Sequence, residues 1–155
     1  TPTSGTPASN TAASGTAHSS TAMNPLVAGV AGGLAGGIVF GLMMQMMGML
    51  PMVAQLVGSS STGVGWLVHL AISAILGVGY AALLGGRATS LATGLGLGAA
   101  WGAVWWVLGA LLIMPAVLGM PLFMMNAMTG KSLMGHLIFG ALLGAVHQVA
   151  SQRRP

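Results

Sequence analysis

The side chains able to do chemistry are few and oddly chosen. The chain of 155 residues holds four histidines and thirteen methionines but no Asp, Glu or Cys. His69 and His136 each open a similar phrase, His69-Leu-Ala-Ile-Ser-Ala-Ile-Leu-Gly-Val-Gly-Tyr80 and His136-Leu-Ile-Phe-Gly-Ala-Leu-Leu-Gly-Ala-Val-His147. A neutral imidazole is a ligand for haem iron, copper, zinc or the magnesium of a chlorin. Two imidazoles at matching places could hold one metal or one macrocycle. They could equally cap loop carbonyls or hydrogen-bond within a bundle, with Gln45 the expected polar partner of His69. His147 follows His136 on nearly the same helical face, about 16 Å further along at 1.5 Å per residue. The corresponding place in the first phrase is Tyr80, so a facing pair of ligands is missing there and an interfacial hydrogen-bonding role is expected.

The methionines form two groups, Met43, Met44, Met46, Met47, Met49 and Met52, then Met120, Met124, Met125 and Met128. Thioethers suit Cu(I), and Met43 and Met47 could join His69 or His136 in such a site. Unbranched methionine also fills irregular gaps beside glycine-rich backbone.

The missing residue types exclude much else. Without carboxylates the chain has no acid/base pair, no Ser-His-Asp triad and no oxygen-rich metal cage of its own, so it is not expected to be an enzyme. Proton relays in membranes run mostly through Asp or Glu, which argues against self-contained ion coupling. Four dispersed Lys/Arg make no basic patch, so no nucleic-acid partner is expected despite the formal charge of +4.

Only 3 % of residues are charged and 55 % are hydrophobic, a surface suited to a lipid bilayer and unsuited to water. Four apolar runs, Leu26–Leu50, Val64–Gly85, Ser90–Met114 and Ser132–Ala150, approach or exceed the ~20 residues that cross ~30 Å of hydrocarbon as a helix. They lack the alternation of barrel strands. The prediction is an all-α membrane protein with four transmembrane helices. Residues 1–24 are a Thr/Ser/Ala-rich tail of disordered composition, 25–87 a first hairpin, and 88–155 a second hairpin with a short basic C-terminus. The histidine phrases, Pro51 and Pro115 recur at matching places, which predicts tandem repeats about a pseudo-two-fold along the membrane normal. Arg87, Arg153 and Arg154 against Lys131 place both termini in the cytoplasm of a bacterial inner membrane by the positive-inside rule.

Gly29, Gly33, Gly37 and Gly41 form a four-residue ladder, Gly94, Gly98 and Gly102 a second, and Gly140 and Gly144 a shorter one. In lipid, small residues let helix backbones approach closely. The two longer ladders predict that the first and third spans form the central pair. Gly32 and Gly36 make a further smooth face on the first span, surplus to that pair and free for a partner or a flat cofactor such as a carotenoid, chlorin or quinone. The two ladders, the two prolines and the His-Leu openings resemble small bacterial four-helix integral-membrane proteins of unknown function built from a duplicated hairpin, a group that implies a fold and no activity. The functional expectation is a non-catalytic accessory or scaffolding subunit that docks other integral-membrane subunits of a respiratory or photosynthetic complex through its glycine faces. The alternative is a haem-, pigment- or copper-binding membrane protein using His69 and His136.

Overall fold

The computed structural model describes residue 1 and residues 22–152. Most of the Thr/Ser/Ala-rich tail, and with it the expectation of disorder there, lies outside the described residues, as do Arg153 and Arg154. Every regular element is helical: α1 (Pro25–Met46), a short α2 (Leu50–Ala54), α3 (Thr62–Leu83), α4 (Leu91–Trp105) running through a π-helical stretch (Trp106–Ile113) into α5 (Met114–Leu118), and α6 (Ala127–Ser151). Four helical runs are long and apolar enough to cross a membrane, Pro25–Met46, Thr62–Leu83, Leu91–Leu118 and Ala127–Ser151.

Polar side chains start each long helix. Asn24 accepts from the Leu26 N–H at 2.9 Å, with Pro25 filling the first position, where an N–H has no partner. Ser90 with Thr93, and Asn126 with Thr129, form reciprocal capping boxes on α4 and α6. Gly48, Gly58 and Gly119 adopt positive φ where the chain turns away from a helix.

The ends differ from the sequence expectation for physical reasons. The first span stops at Met46, before Pro51, because Gly48 reverses the chain; Pro51 then sits in the first turn of α2, where proline is at home. The third span does not stop at Pro115. The Met114 N–H bonds back five residues to the Gly109 carbonyl, and the helix runs to Leu118. The fourth span starts at Ala127, ahead of the expected Ser132, so the connection between the third and fourth spans is confined to residues 119–126.

The glycine faces determine which helices touch. Added methyl groups at Gly29 and Gly33 of α1 would strike the Gly77 and Ser73 carbonyls of α3, so the ladder is filled by the next helix in the chain. Gly94, Gly98 and Gly102 of α4 meet the carbonyls of Gly144, Gly140 and His136 on α6 in the same way. Oxygen of one helix against Cα of another is the geometry of close van der Waals contact with Cα–H···O support.

The expectation that the first and third spans pair centrally is therefore corrected. The central pair is α1 and α6, with α3 and α4 outside. Gly32 and Gly36, the face thought surplus, are covered by Leu143 and Phe139 of α6, and Phe40 occupies the notch at Gly135. Near the chain ends the Met23 N–H donates to the Ala150 carbonyl at 3.0 Å, tying α1 to α6 again.

Each ladder rung thus differs sharply from a glycine that faces open space. Gly98→Ala would drive a methyl into the Gly140 carbonyl, whereas nothing lies within 4 Å of a Cβ added at Gly96. Gly98→Ala is expected to destabilise by at least the ~1–3 kcal/mol of an overpacked site. Gly96→Ala is expected to be neutral or to stabilise by up to ~1 kcal/mol, the usual advantage of alanine within a helix. Unfolding of both variants in detergent micelles checks the pair; equal effects would contradict the packing.

Candidate functional site

Between α3 and α4, on the side of the α1–α2 and α5–α6 connections, the bundle opens into a cavity of about 450 Å³. Its origin is a difference in side-chain size. Where α1 offers Gly32 and Gly36 to α6, the face of α4 towards α3 carries Trp101, whose indole lies over Gly79 and donates to the Leu76 carbonyl at 3.1 Å. One turn further along, Trp105 stands in the cavity wall, its ring 5.8 Å from that of Trp101. On the far side of Trp101 from the cavity, Tyr80 donates its hydroxyl proton to the Gly94 carbonyl at 3.3 Å. These bulky groups fasten α3 to α4 at one end and hold the helices apart at the other.

The wall on the α4 side is the π-helical stretch, with Gly109, Ala110, Leu111 and Ile113 facing the space. Such wide turns interrupt the regular ladder and recur at binding sites. Two hydrogen bonds hold this one in place. Trp106 donates its indole N–H to the Thr129 carbonyl at 3.0 Å, reaching the first turn of α6. Pro115 has no N–H to offer the Leu111 carbonyl four residues earlier, and that carbonyl instead accepts the Phe123 N–H at 2.9 Å. Phe123 holds φ at 53°, unusual for a side chain of its size, so the connection before α6 is bent inward to reach the wall.

His69 and His136 both line the cavity. His69 Nε2 is 2.8 Å from the Gly37 carbonyl and His136 Nδ1 is 2.8 Å from the Ser132 carbonyl. Both imidazoles pack edge-on against Phe40, with ring centres 5.4 Å and 4.7 Å from it. The structure thus brings the two sequence-matched histidines to one site, with Phe40 against both rings. Among the described residues no three His, Cys, Asp or Glu side chains group as a metal site.

The remaining sequence candidates fall elsewhere. Gln45 is not the partner of His69; its side-chain oxygen accepts the Trp66 indole N–H at 2.6 Å. The reason is Gly41, whose bare Cα leaves the notch into which the Trp66 ring fits and so brings the indole beside Gln45. His147 sits near the opposite end of the bundle, 2 % exposed, edge-on to Tyr80 at 5.5 Å and pressed against Gly85. The Pro25 carbonyl lies nearby without hydrogen-bond geometry, and neither ring nitrogen of His147 has a partner among the described residues. Met43 and Met47 do not face the cavity, whereas seven of the thirteen methionines do, Met44 and Met114 among them.

Sequence reasoning missed Phe40, Ser132 and the wall from Gly109 to Ile113. Trp105 is four residues from Trp101, a spacing visible in the sequence, but its role depends on the π turn that follows it. Comparison with protein-family models, with curated proteins and with solved structures finds no match to this chain.

The Gln45–Trp66 assignment is separable from the expected Gln45–His69 pair. A double-mutant cycle of Gln45→Leu with Trp66→Phe is expected to give a coupling of about 0.5–1.5 kcal/mol. The same cycle with His69→Leu is expected to give none. Chemical unfolding in micelles measures both, and coupling to His69 alone would overturn the assignment.

Proposed function

We propose that this is a non-catalytic integral-membrane binding protein whose site is the cavity at His69 and His136. One observation carries the reading: the two sequence-matched histidines lie on the lining of an apolar cavity of about 450 Å³ inside the bundle. Small-molecule sites have that size, mostly apolar walls and a few placed polar groups. The proposed setting is a bacterial inner membrane with both termini in the cytoplasm, so that the cavity lies towards the opposite face.

The tandem-repeat reading is supported by register. Gly33 meets Ser73 as Gly98 meets Gly140, and Gly29 meets Gly77 as Gly94 meets Gly144. In the matched register Gly32 and Gly36 correspond to Leu97 and Trp101, and Phe40 to Trp105. A pseudo-two-fold along the membrane normal then relates the tight α1–α6 contact to the open α3–α4 one. The cavity marks where the second repeat has grown larger side chains. The same duplicated hairpin underlies the proposed resemblance to small bacterial membrane proteins of unknown function.

The haem, chlorin and copper alternatives share this site. Each ring commits one nitrogen to a backbone carbonyl and keeps the other free, as an imidazole that binds a metal does, and both rings pack on Phe40. The reading as an accessory subunit requires a different docking surface from the one expected, because the ladder glycines are covered by the protein's own helices. The apolar outer faces, with Leu67 and Leu83 on α3, are what remains for other subunits or for lipid.

Protein purified from its native membrane in mild detergent is expected to carry an organic molecule in near-stoichiometric amount by native mass spectrometry. Ala110→Phe, which fills the wall, is expected to lose it while retaining the wild-type helical circular dichroism. A protein free of any such molecule, and unable to take one up, would overturn the proposal. Recovery only within a larger membrane complex would favour the accessory reading, and a coloured or metal-loaded preparation the cofactor one.

A further inference from the structure

The hydrogen bonds of the two histidines fix more than their orientation. A backbone carbonyl only accepts, so the nitrogen facing it carries the proton in each neutral ring. His69 is then protonated on Nε2, against Gly37, and His136 on Nδ1, against Ser132. The other nitrogens, His69 Nδ1 and His136 Nε2, are left as bare lone pairs. Neither has a partner among the described residues, and neither is among the buried polar atoms sealed from all access. Both residues line the cavity, so two hydrogen-bond acceptors serve one apolar space.

Trp105 also lines the cavity, but its indole N–H is buried behind the wall, without an acceptor among the described residues and out of reach of the space, so the polar groups offered to a ligand are the two imidazole acceptors. Polar groups left unmet in an apolar space are costly, and a site holding two acceptors selects a molecule that can donate to them. A hydroxyl meets this need, since it gives its proton to an imidazole. A carbonyl or ether oxygen has nothing to give the histidines.

We propose that the cavity selects an apolar molecule bearing a hydroxyl donor, such as a phenol or quinol ring, over the matching ether or quinone. Resting on the binding reading above, this adds which chemistry the site distinguishes. The two imidazoles are positioned to accept, and the apolar wall of the π turn takes the body of the ligand.

The probe pair is 4-hexylphenol and 4-hexylanisole, which differ by one methyl on the oxygen, titrated into the full chain in detergent micelles with tryptophan fluorescence as readout. The phenol is expected to bind about tenfold more tightly, the effect of one hydrogen bond made or left unmade. In His136→Leu the preference is expected to fall to two- or threefold, and in the His69→Leu/His136→Leu double variant to vanish, while both probes still bind. Imidazole ¹⁵N shifts give a ligand-independent check: His69 is expected as the Nε2–H tautomer and His136 as the Nδ1–H tautomer. Equal binding of the two probes to the wild type would overturn the donor preference and leave the binding site standing. Binding of neither probe would overturn both. Stoichiometric Cu(I) uptake abolished by the double variant, with no preference for the phenol, would overturn the proposal in favour of a soft-metal site.

Discussion

The fold depends on backbone meeting backbone without side chains between. In lipid no hydrophobic drive gathers helices, so contact itself has to stabilise them, and contact is greatest where Cβ atoms are absent. The rungs at Gly29, Gly33 and Gly77, and at Gly98, Gly140 and Gly144, put a carbonyl of one helix where a methyl would otherwise stand. With no carboxylate in the chain and only four Lys/Arg, ion pairing contributes almost nothing beside this. The few side-chain hydrogen bonds serve mainly as caps or link an indole or imidazole to a carbonyl.

The site follows from the one interface where this contact is not made. Trp101 and Tyr80 join α3 to α4 through hydrogen bonds to backbone carbonyls, and beyond them the helices do not close. The π turn widens α4 at the same level, and the missing N–H of Pro115 frees the Leu111 carbonyl to hold the connection at Phe123. Glycine makes the bundle, and tryptophan and proline make the space within it.

Much of the helical content was legible because length and apolarity alone decide it: the four spans appear within a few residues of where composition puts them. The ladders were legible as packing faces, but not their partners. A four-residue glycine spacing names a smooth face without saying which helix lies on it, and α6 takes the face on Gly32 and Gly36. His69 and His136 stand out in the sequence through their similar phrases, and both line the cavity. The Gln45–Trp66 bond could not, since it follows from an indole seated at Gly41, a tertiary fact. The π turn has no sequence period of its own; Pro115 was the nearest signal, and it reads more readily as a helix stop.

A ladder with one glycine in every four residues has a further property: it looks the same after a slide of one rung. Shifting α1 by a turn along α3 would again set glycine against small residues, so the ladders supply adhesion without choosing an alignment. The choice falls to shapes that occur once. Trp66 fits only the gap at Gly41, Phe40 only that at Gly135, and the His147 ring only that at Gly85. Two of these three keys stand at the cavity end of the bundle, where Phe40 also packs against the histidines. The residue that fixes how far α1 slides along α6 is therefore one that shapes the binding space, and vernier and site are the same piece of the molecule.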